Sequence, residues 1–377
     1  MATKRRGHGE GTIKQRADGL WEARISLDGG KRKSLYGKTR KEAQDKLRTA
    51  FRDLDAGVDL SAGRQTVGQF LDRWLADVVK PTVRPKTHHS YAQLVRLHLK
   101  PALGHHQLGK LTPQHVQAMM SAKSSSGLSP RTVQYIRAVL RRSLGQALKW
   151  GLVSRNVATL VDPPRSVKKP VAPLSAEQAR AFIASTADNR LGPLFQVAIA
   201  SGLRQGELFG LRWPDVDLDA GTLYVRHALQ RIDGTLTLVE PKTTLSRRTV
   251  TLPGSAIAAL RVQKDRQVFE RAMAGDRWRE GGYVFTSTIG TPLEPSNVSH
   301  RLHALLKAAD LPHQRFHDLR HCNASLLLAG GVAPRTIMGI LGHSQISLTM
   351  NTYAHLSPAL ERDAARALDS VLAASAN

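Results

Sequence analysis

Near the start of the chain, apolar and polar residues alternate with the period of two that half-buried strands show. Thr12–Gln15 and Trp21–Leu27 each fit a strand and Lys33–Tyr36 a third, with Ala17-Asp18-Gly19 and Asp28-Gly29-Gly30 supplying turn residues between them. The period then lengthens. Thr39 caps a predicted helix running to about Ala56, with Ala43, Leu47, Ala50 and Leu54 at helical spacing. Three strands and a helix make a small module over residues 1–60.

From residue 65 to 160 the pattern is helical. Val67, Phe70, Leu71, Trp74, Leu75 and Val78 form one apolar stripe, which Pro81 and Pro85 are expected to end. A second helix is predicted over Thr87–Leu99, a third from Thr112-Pro113, and a fourth from Ser129-Pro130 to Trp150. These form a four-helix domain, residues 61–162. Residues 163–173 hold four prolines and read as an extended, semi-stiff linker. Ser175-Ala176-Glu177-Gln178 opens a further domain, residues 174–357, with a helix start. It is mostly helical, with alternating strands at Thr222–Arg226, Thr235–Val239 and Arg248–Leu252 and a short apolar run at Tyr283–Phe285. Pro358 opens a tail to residue 377, with Leu360, Ala364, Leu368 and Leu372 at period four. The fold class is multidomain and mainly α: a small β-rich N-terminal module, a four-helix domain and a larger α+β domain.

Charge divides the chain in the same places. Residues 61–170 carry 18 Lys/Arg against three Asp/Glu, whereas residues 171–377 carry 22 against 18; the formal net charge of the chain is +25. A region so poor in acids repels itself unless its partner is a polyanion, and nucleic acid is the expected one. Lys86 and Arg131 stand just ahead of helices expected at Thr87 and Thr132, where a helix start suits phosphate, and are the candidate DNA-binding residues. Binding through backbone phosphates is expected to be steeply salt-dependent; six to ten contacts lose about 10³–10⁵ in affinity between 50 and 200 mM salt. No run of 18 apolar residues suggests a membrane span. The N-terminus does not read as a secretory signal, and the single cysteine, Cys322, excludes an intramolecular disulfide.

The candidate chemistry lies in a widely spaced set. Ser201-Gly202-Leu203-Arg204-Gln205-Gly206-Glu207-Leu208 comes first, followed by Pro241-Lys242-Thr243 and Ser246-Arg247-Arg248. His317-Asp318-Leu319-Arg320-His321, Leu341-Gly342-His343-Ser344 and Asn351-Thr352-Tyr353 follow. Cleavage of a phosphodiester by a protein nucleophile needs an activated oxygen, positive donors round the phosphate, an acid for the leaving oxygen and in-line geometry. Only about a thousandth of a tyrosine with pKa near 10 is phenolate at pH 7, so neighbours must supply roughly 4 kcal/mol. A guanidinium matches two phosphate oxygens at once. Each residue alone has an ordinary structural explanation: Arg204 pairing with Glu207, His317 satisfied in a core, Tyr353 packed with its hydroxyl on the backbone. Their company and order point to chemistry.

In these motifs the chain resembles the tyrosine recombinases, in particular phage-type and mobile-element integrases. The likeness spans residues 174–357, with Leu211-Arg212-Trp213-Pro214-Asp215-Val216-Asp217 as a further match. It extends to residues 65–160, which resemble the family's SAM-like core-binding domain, and to 1–60, which resemble its arm-type DNA-binding module. The resemblance implies that Tyr353 attacks the phosphate to form a 3′-phosphotyrosyl bond, releasing a 5′-hydroxyl. It implies Arg204 and Arg320 on the non-bridging oxygens, Lys242 as acid toward the leaving oxygen, His317 assisting proton transfer, His343 donating to the phosphate and Glu207 as support. The expected reaction is site-specific recombination for integration or excision of a phage or mobile element. It exchanges esters and implies no cofactor and no metal. The implied partners are double-stranded DNA at core-type and arm-type sites, a homotetramer on that DNA, a host DNA-bending protein and a directionality factor, all in the bacterial cytosol or nucleoid. Two alternatives share features of the pattern: a type IB topoisomerase-like activity, and a non-catalytic DNA-binding regulator.

Overall fold

A computed structural model of the chain describes residues 11–27, 32–55, 57, 65–166, 172–241, 247–342, 365 and 369. The chain divides into two compact units, Met1–Lys168 and Lys169–Asn377.

In the first unit, β1 (Thr12–Gln15), β2 (Trp21–Ser26) and β3 (Arg32–Gly37) form an antiparallel sheet in that order. The register sets Ala23 against Ile13 and Leu35. Strand alternation therefore collects Ile13, Ala23, Ile25 and Leu35 on one face, where Ala43, Leu47 and Ala50 of α1 (Arg40–Asp55) cover them. The other face is polar, with Glu22 buried beneath Arg24 and Lys14.

The helical core of this unit departs from expectation at its prolines. Pro81 does not end the first helix. α2 (Val67–Trp74) passes through a π turn (Leu75–Val79) into α3 (Lys80–Thr82), and α4 (Pro85–Leu94) passes through another (Val95–Leu99) into α5 (Lys100–Leu103). Both π turns precede a Lys-Pro step. A proline ring inside an α-helix collides with the carbonyl four residues back. The wide turns, closed by Lys80 N–H to the Leu75 carbonyl and Lys100 N–H to the Val95 carbonyl, make room for it. Pro81 is thus carried within its helix, while Pro85 opens the next one, which also runs past Leu99. α6 (Pro113–Ser125) and α7 (Pro130–Lys149) complete the four, around Phe70, Leu71, Trp74, Leu99, Ile136 and Leu140. Lys86 and Arg131 are not ahead of helices but inside the first turns of α4 and α7. Pro85 and Pro130, with φ already preset, take the first helical position before them. Both side chains are exposed. The linker expected at 163–173 falls partly on residues 167–171, outside the described residues.

The second unit begins with α8 (Ala176–Ser185), started by Ser175 Oγ accepting from the Gln178 N–H at 3.1 Å. α9 (Gly192–Ser201) is buried along most of its length, packed by α11 (Gly254–Ala274) and α13 (Phe316–Ala329). α10 (Gln205–Phe209), α12 (Pro295–Ala308) and α14 (Pro334–Leu341) complete its helices of this kind among the described residues. Strands β4 (Val216–Asp217), β5 (Thr222–Tyr224) and β8 (Thr249–Thr251) form one sheet. β6 (Ala228–Ile232) and β7 (Thr235–Val239) form a hairpin. Asp233 and Gly234, with φ of 47° and 82°, make its two-residue turn, a geometry whose twist suits paired strands. β7 coincides with its expected range, β5 and β8 are shorter than expected, and Val284 and Phe285 are buried. Phe182, Leu194, Phe195, Leu208, Phe209, Leu302 and Leu319 lie at the core.

Candidate active site

Gly202 turns the chain out of α9 with φ of 62°, its N–H donating to the Ala198 carbonyl at 3.1 Å. A Cβ here would stand 2.5 Å from Leu341 Cδ2 and 2.6 Å from Asn323 Oδ1, so backbone and space both require glycine. Arg204 follows at the N-cap of α10. Glu207, one turn on, accepts from the Arg204 N–H at 3.1 Å and from Nη1 at 2.7 Å. Its carboxylate thus satisfies an orphan donor at the helix start and fixes the direction of the guanidinium. Arg248, just ahead of β8, donates Nη2 to the other side of the pair, 3.1 Å from Glu207 Oε2. The Glu207 side chain is only 3% exposed. Burial alone would raise its carboxyl, but the Arg248 and Arg204 guanidiniums outweigh burial and hold it below the usual carboxylate range.

Three arginines from three elements then converge on one helix end. Arg248 Nε donates to the Ile340 carbonyl at 2.7 Å, Arg320 Nη2 to that of Leu341 at 2.6 Å, and Arg204 Nη2 to that of Gly342 at 2.9 Å. These consecutive carbonyls end α14, where a helix leaves acceptors unpaired and carries partial negative charge. Gly342 itself is left-handed, with φ of 63°. Arg320, 3% exposed, also donates Nη1 to the Gly202 carbonyl at 2.7 Å. Asn323, one turn along α13, donates to the carbonyls of Ile199 and Ala200 and ties α13 to the end of α9.

His317 and Arg320 both lie on α13, three residues apart. The His317 ring meets His321 edge-on, centroids 5.1 Å apart. Desolvation first, then His321 and Arg320, push His317 down from the ordinary imidazole value to about 4. The residue is nonetheless exposed to solvent along part of its surface. Water reaches the ring and relieves part of that desolvation, and the ring is neutral at pH 7, able to accept a proton. His321 is lowered as well, chiefly by burial. Asp318 accepts three bonds from Arg315, from its N–H, Nε and Nη2, and closes the start of α13. Cys322 lies on the buried side of this helix, its thiol pushed up to about 11 by burial, and serves the core.

Arg204 and Arg320, predicted from separate motifs, are thus brought to one helix end, Glu207 from the first motif holds Arg204 there, and His317 is on the helix that carries Arg320. Lys242, His343 and Tyr353 lie outside the described residues, as does the segment from Pro358 apart from residues 365 and 369. Pro241 and Gly342 are the described residues directly before Lys242 and His343. The sequence motifs assign Arg248 no role. Its signal was present: Arg248 shares the inward phase of its strand with Val250 and Leu252, which are 3% and 5% exposed, and a cation in a buried phase needs a fixed partner.

The phage integrase family matches residues 173–359, and the phage integrase N-terminal SAM-like domain matches residues 66–124. An integrase of Streptomyces ambofaciens is 31% identical over 373 residues, covering 93% of this chain and 93% of its own length. An integrase of Saccharopolyspora erythraea is 28% identical over 97% of each chain. Among solved structures, the Tn1549 transposon integrase in complex with circular intermediate DNA superposes with a TM-score of 0.68 at 22% identity, over 82% of this chain and 99% of that one. A lambda integrase dimer bound to a core site superposes with a TM-score of 0.57 at 20% identity, over 93% and 96%. Among the described residues no helix is long and apolar enough to cross a membrane. With its motifs, its fold and a relative of this identity along nearly its whole length, the chain belongs to the phage integrase family of tyrosine recombinases, enzymes that break and rejoin DNA in site-specific recombination.

Proposed function

We propose that this recombinase integrates and excises a phage or similar mobile element through a 3′-phosphotyrosyl intermediate formed by Tyr353. Arg204 and Arg320 hold the non-bridging oxygens of the scissile phosphate. Lys242 protonates the leaving 5′-oxygen, His317 accepts the tyrosine proton, and His343 donates to the phosphate. The observation that carries this reading is the convergence of Arg204 and Arg320, from motifs 116 residues apart, on the carbonyls of Gly342 and Leu341 just before His343. Preorganised donors of this kind stabilise charge as it develops and need no rearrangement at the moment of reaction. The lowered pKa of His317 supports its part, since only the neutral ring can take a proton. Glu207 keeps Arg204 in place; as a carboxylate it accepts bonds and does not touch phosphate.

The small sheet module at 1–60 binds arm-type DNA, the helical domain at 61–162 and the domain at 174–357 grip the core site, and the residues between them form the linker. Lys86 and Arg131 contact the DNA backbone, positioning the duplex without reading sequence. Four copies act on two duplexes, a reading supported by the likeness to a lambda integrase tetramer bound to a Holliday junction. A host DNA-bending protein and a directionality factor complete the assembly in the bacterial cytosol.

The test is strand transfer between two labelled duplexes that carry the ends of the element. Recombinant product refutes both the topoisomerase-like and the purely binding alternatives. Relaxation of supercoiled plasmid with no joining of separate duplexes sinks the proposal.

A further inference from the structure

We infer that Arg248 is a positioning residue for strand cleavage, one that aims Arg204 through Glu207 and pins the end of α14 without itself touching DNA. The inference rests on the reading of Arg204 and Arg320 as phosphate ligands and asks what holds them.

Glu207 has two carboxylate oxygens, and each is committed. Oε1 accepts from Arg204 Nη1, while Oε2 accepts from the Arg204 N–H and from Arg248 Nη2. With both oxygens held, the carboxylate plane cannot swing, and the Arg204 fork keeps one direction. Arg204 is itself 36% exposed, so water competes for it and its aim depends on this anchor. Arg248 is 8% exposed and leaves little surface for a phosphate to reach.

Arg248 also acts on α14. Its last carbonyls are held by three guanidiniums, of which two also serve the phosphate. When DNA binds, Arg204 and Arg320 divide their donors between the helix end and the phosphate oxygens. Arg248 is the anchor whose hold on Ile340 that competition does not reach. It keeps the helix end in register, and with it the point from which the chain runs on to His343. Only arginine spans both tasks. Its planar fork reaches the Ile340 carbonyl through Nε and Glu207 through Nη2 together, whereas a lysine ammonium is a single point.

The experiment compares full-length wild type with Arg248→Lys and Arg248→Gln in single-turnover cleavage of nicked duplexes carrying the core sequence from the ends of the element. Binding of the same duplex is measured by mobility shift. Cleavage is repeated with a methylphosphonate at the scissile position, which removes one anionic oxygen and with it much of the demand for an aimed guanidinium. Arg248→Lys keeps the charge and guards against loss of the fold in Arg248→Gln. The expected result is unchanged binding, cleavage about 10²-fold slower, as for a misplacement of about 1 Å at a reacting centre, and a smaller deficit on the methylphosphonate. Cleavage by Arg248→Lys at the wild-type rate overturns the inference. So does a deficit equal on both substrates, the mark of a merely structural role. If wild type itself fails to cleave, the proposed activity falls, and this inference with it.

Discussion

Replacing Glu207 tests the electrostatic frame of the site. Its carboxylate is 3% exposed and lies between Arg204 and Arg248, so Glu207→Ala leaves two guanidiniums without their shared anion. Breaking one side of a buried pair costs about 3–5 kcal/mol. Arg248 keeps the Ile340 carbonyl and Arg204 can turn to water, which places Glu207→Ala at the lower end, about 3 kcal/mol. For a domain of 150–250 residues each kcal/mol moves the melting point by about 2–4 °C, so a fall of about 6–12 °C is expected. Glu207→Gln keeps the shape and one acceptor and loses charge-assisted bonds worth about 1.5–3 kcal/mol. The pH dependence gives the sharper check. A carboxyl whose pKa is lowered by folding contributes stability above its unfolded pKa and loses it as the pH falls through the folded value. The stability advantage of wild type over Glu207→Gln is therefore full at pH 7 and closes as acid is added. Thermal unfolding of both proteins from pH 7 down to the acid limit measures it. Equal melting points at neutral pH, or a gap that does not narrow on acidification, would show that Glu207 does not hold the two guanidiniums as an anion.

Two further predictions follow from the same geometry. An NMR titration of His317 should give a pKa below 6.5, so that any stability it contributes is present above that value and lost on acidification through the folded pKa, and occupying the site with inorganic phosphate should raise it; a free-state value at or above 6.5 contradicts the assigned environment. Gly202→Ala should destabilise by more than the roughly 1 kcal/mol of an ordinary left-handed position, because the new methyl meets Leu341 and Asn323, and should slow cleavage by moving the carbonyl that holds Arg320; wild-type stability and rate in this variant would show that the turn tolerates a side chain.

Much of the framework is legible in local sequence because local rules produce it. Ser175 and Gln178 form their helix start, the alternation at Thr235–Val239 forms its strand, and the Arg204–Glu207 spacing yields the pair. The misreadings come from two sources. One is backbone accommodation: π turns absorb Pro81 and Pro101, and prolines at first helical positions draw Lys86 and Arg131 inside their helices. The other is distance along the chain. Arg248 meets Glu207 across 41 residues and Ile340 across 92, and no period or propensity encodes such contacts. The β6–β7 turn was legible in principle from Asp233-Gly234, but Ala228–Ile232 lacks the alternation that marks a strand facing water on one side.

Covalent trapping would identify Tyr353 as the nucleophile served by this cluster of arginines and histidines. Wild type and Tyr353→Phe are incubated in EDTA with nicked duplexes carrying the core sequence, and denaturing gels are read for a protein–DNA adduct. An adduct is expected with wild type and not with Tyr353→Phe, while both proteins bind the duplex alike. An adduct that persists in Tyr353→Phe, or one that forms only when a divalent metal is restored, contradicts that assignment.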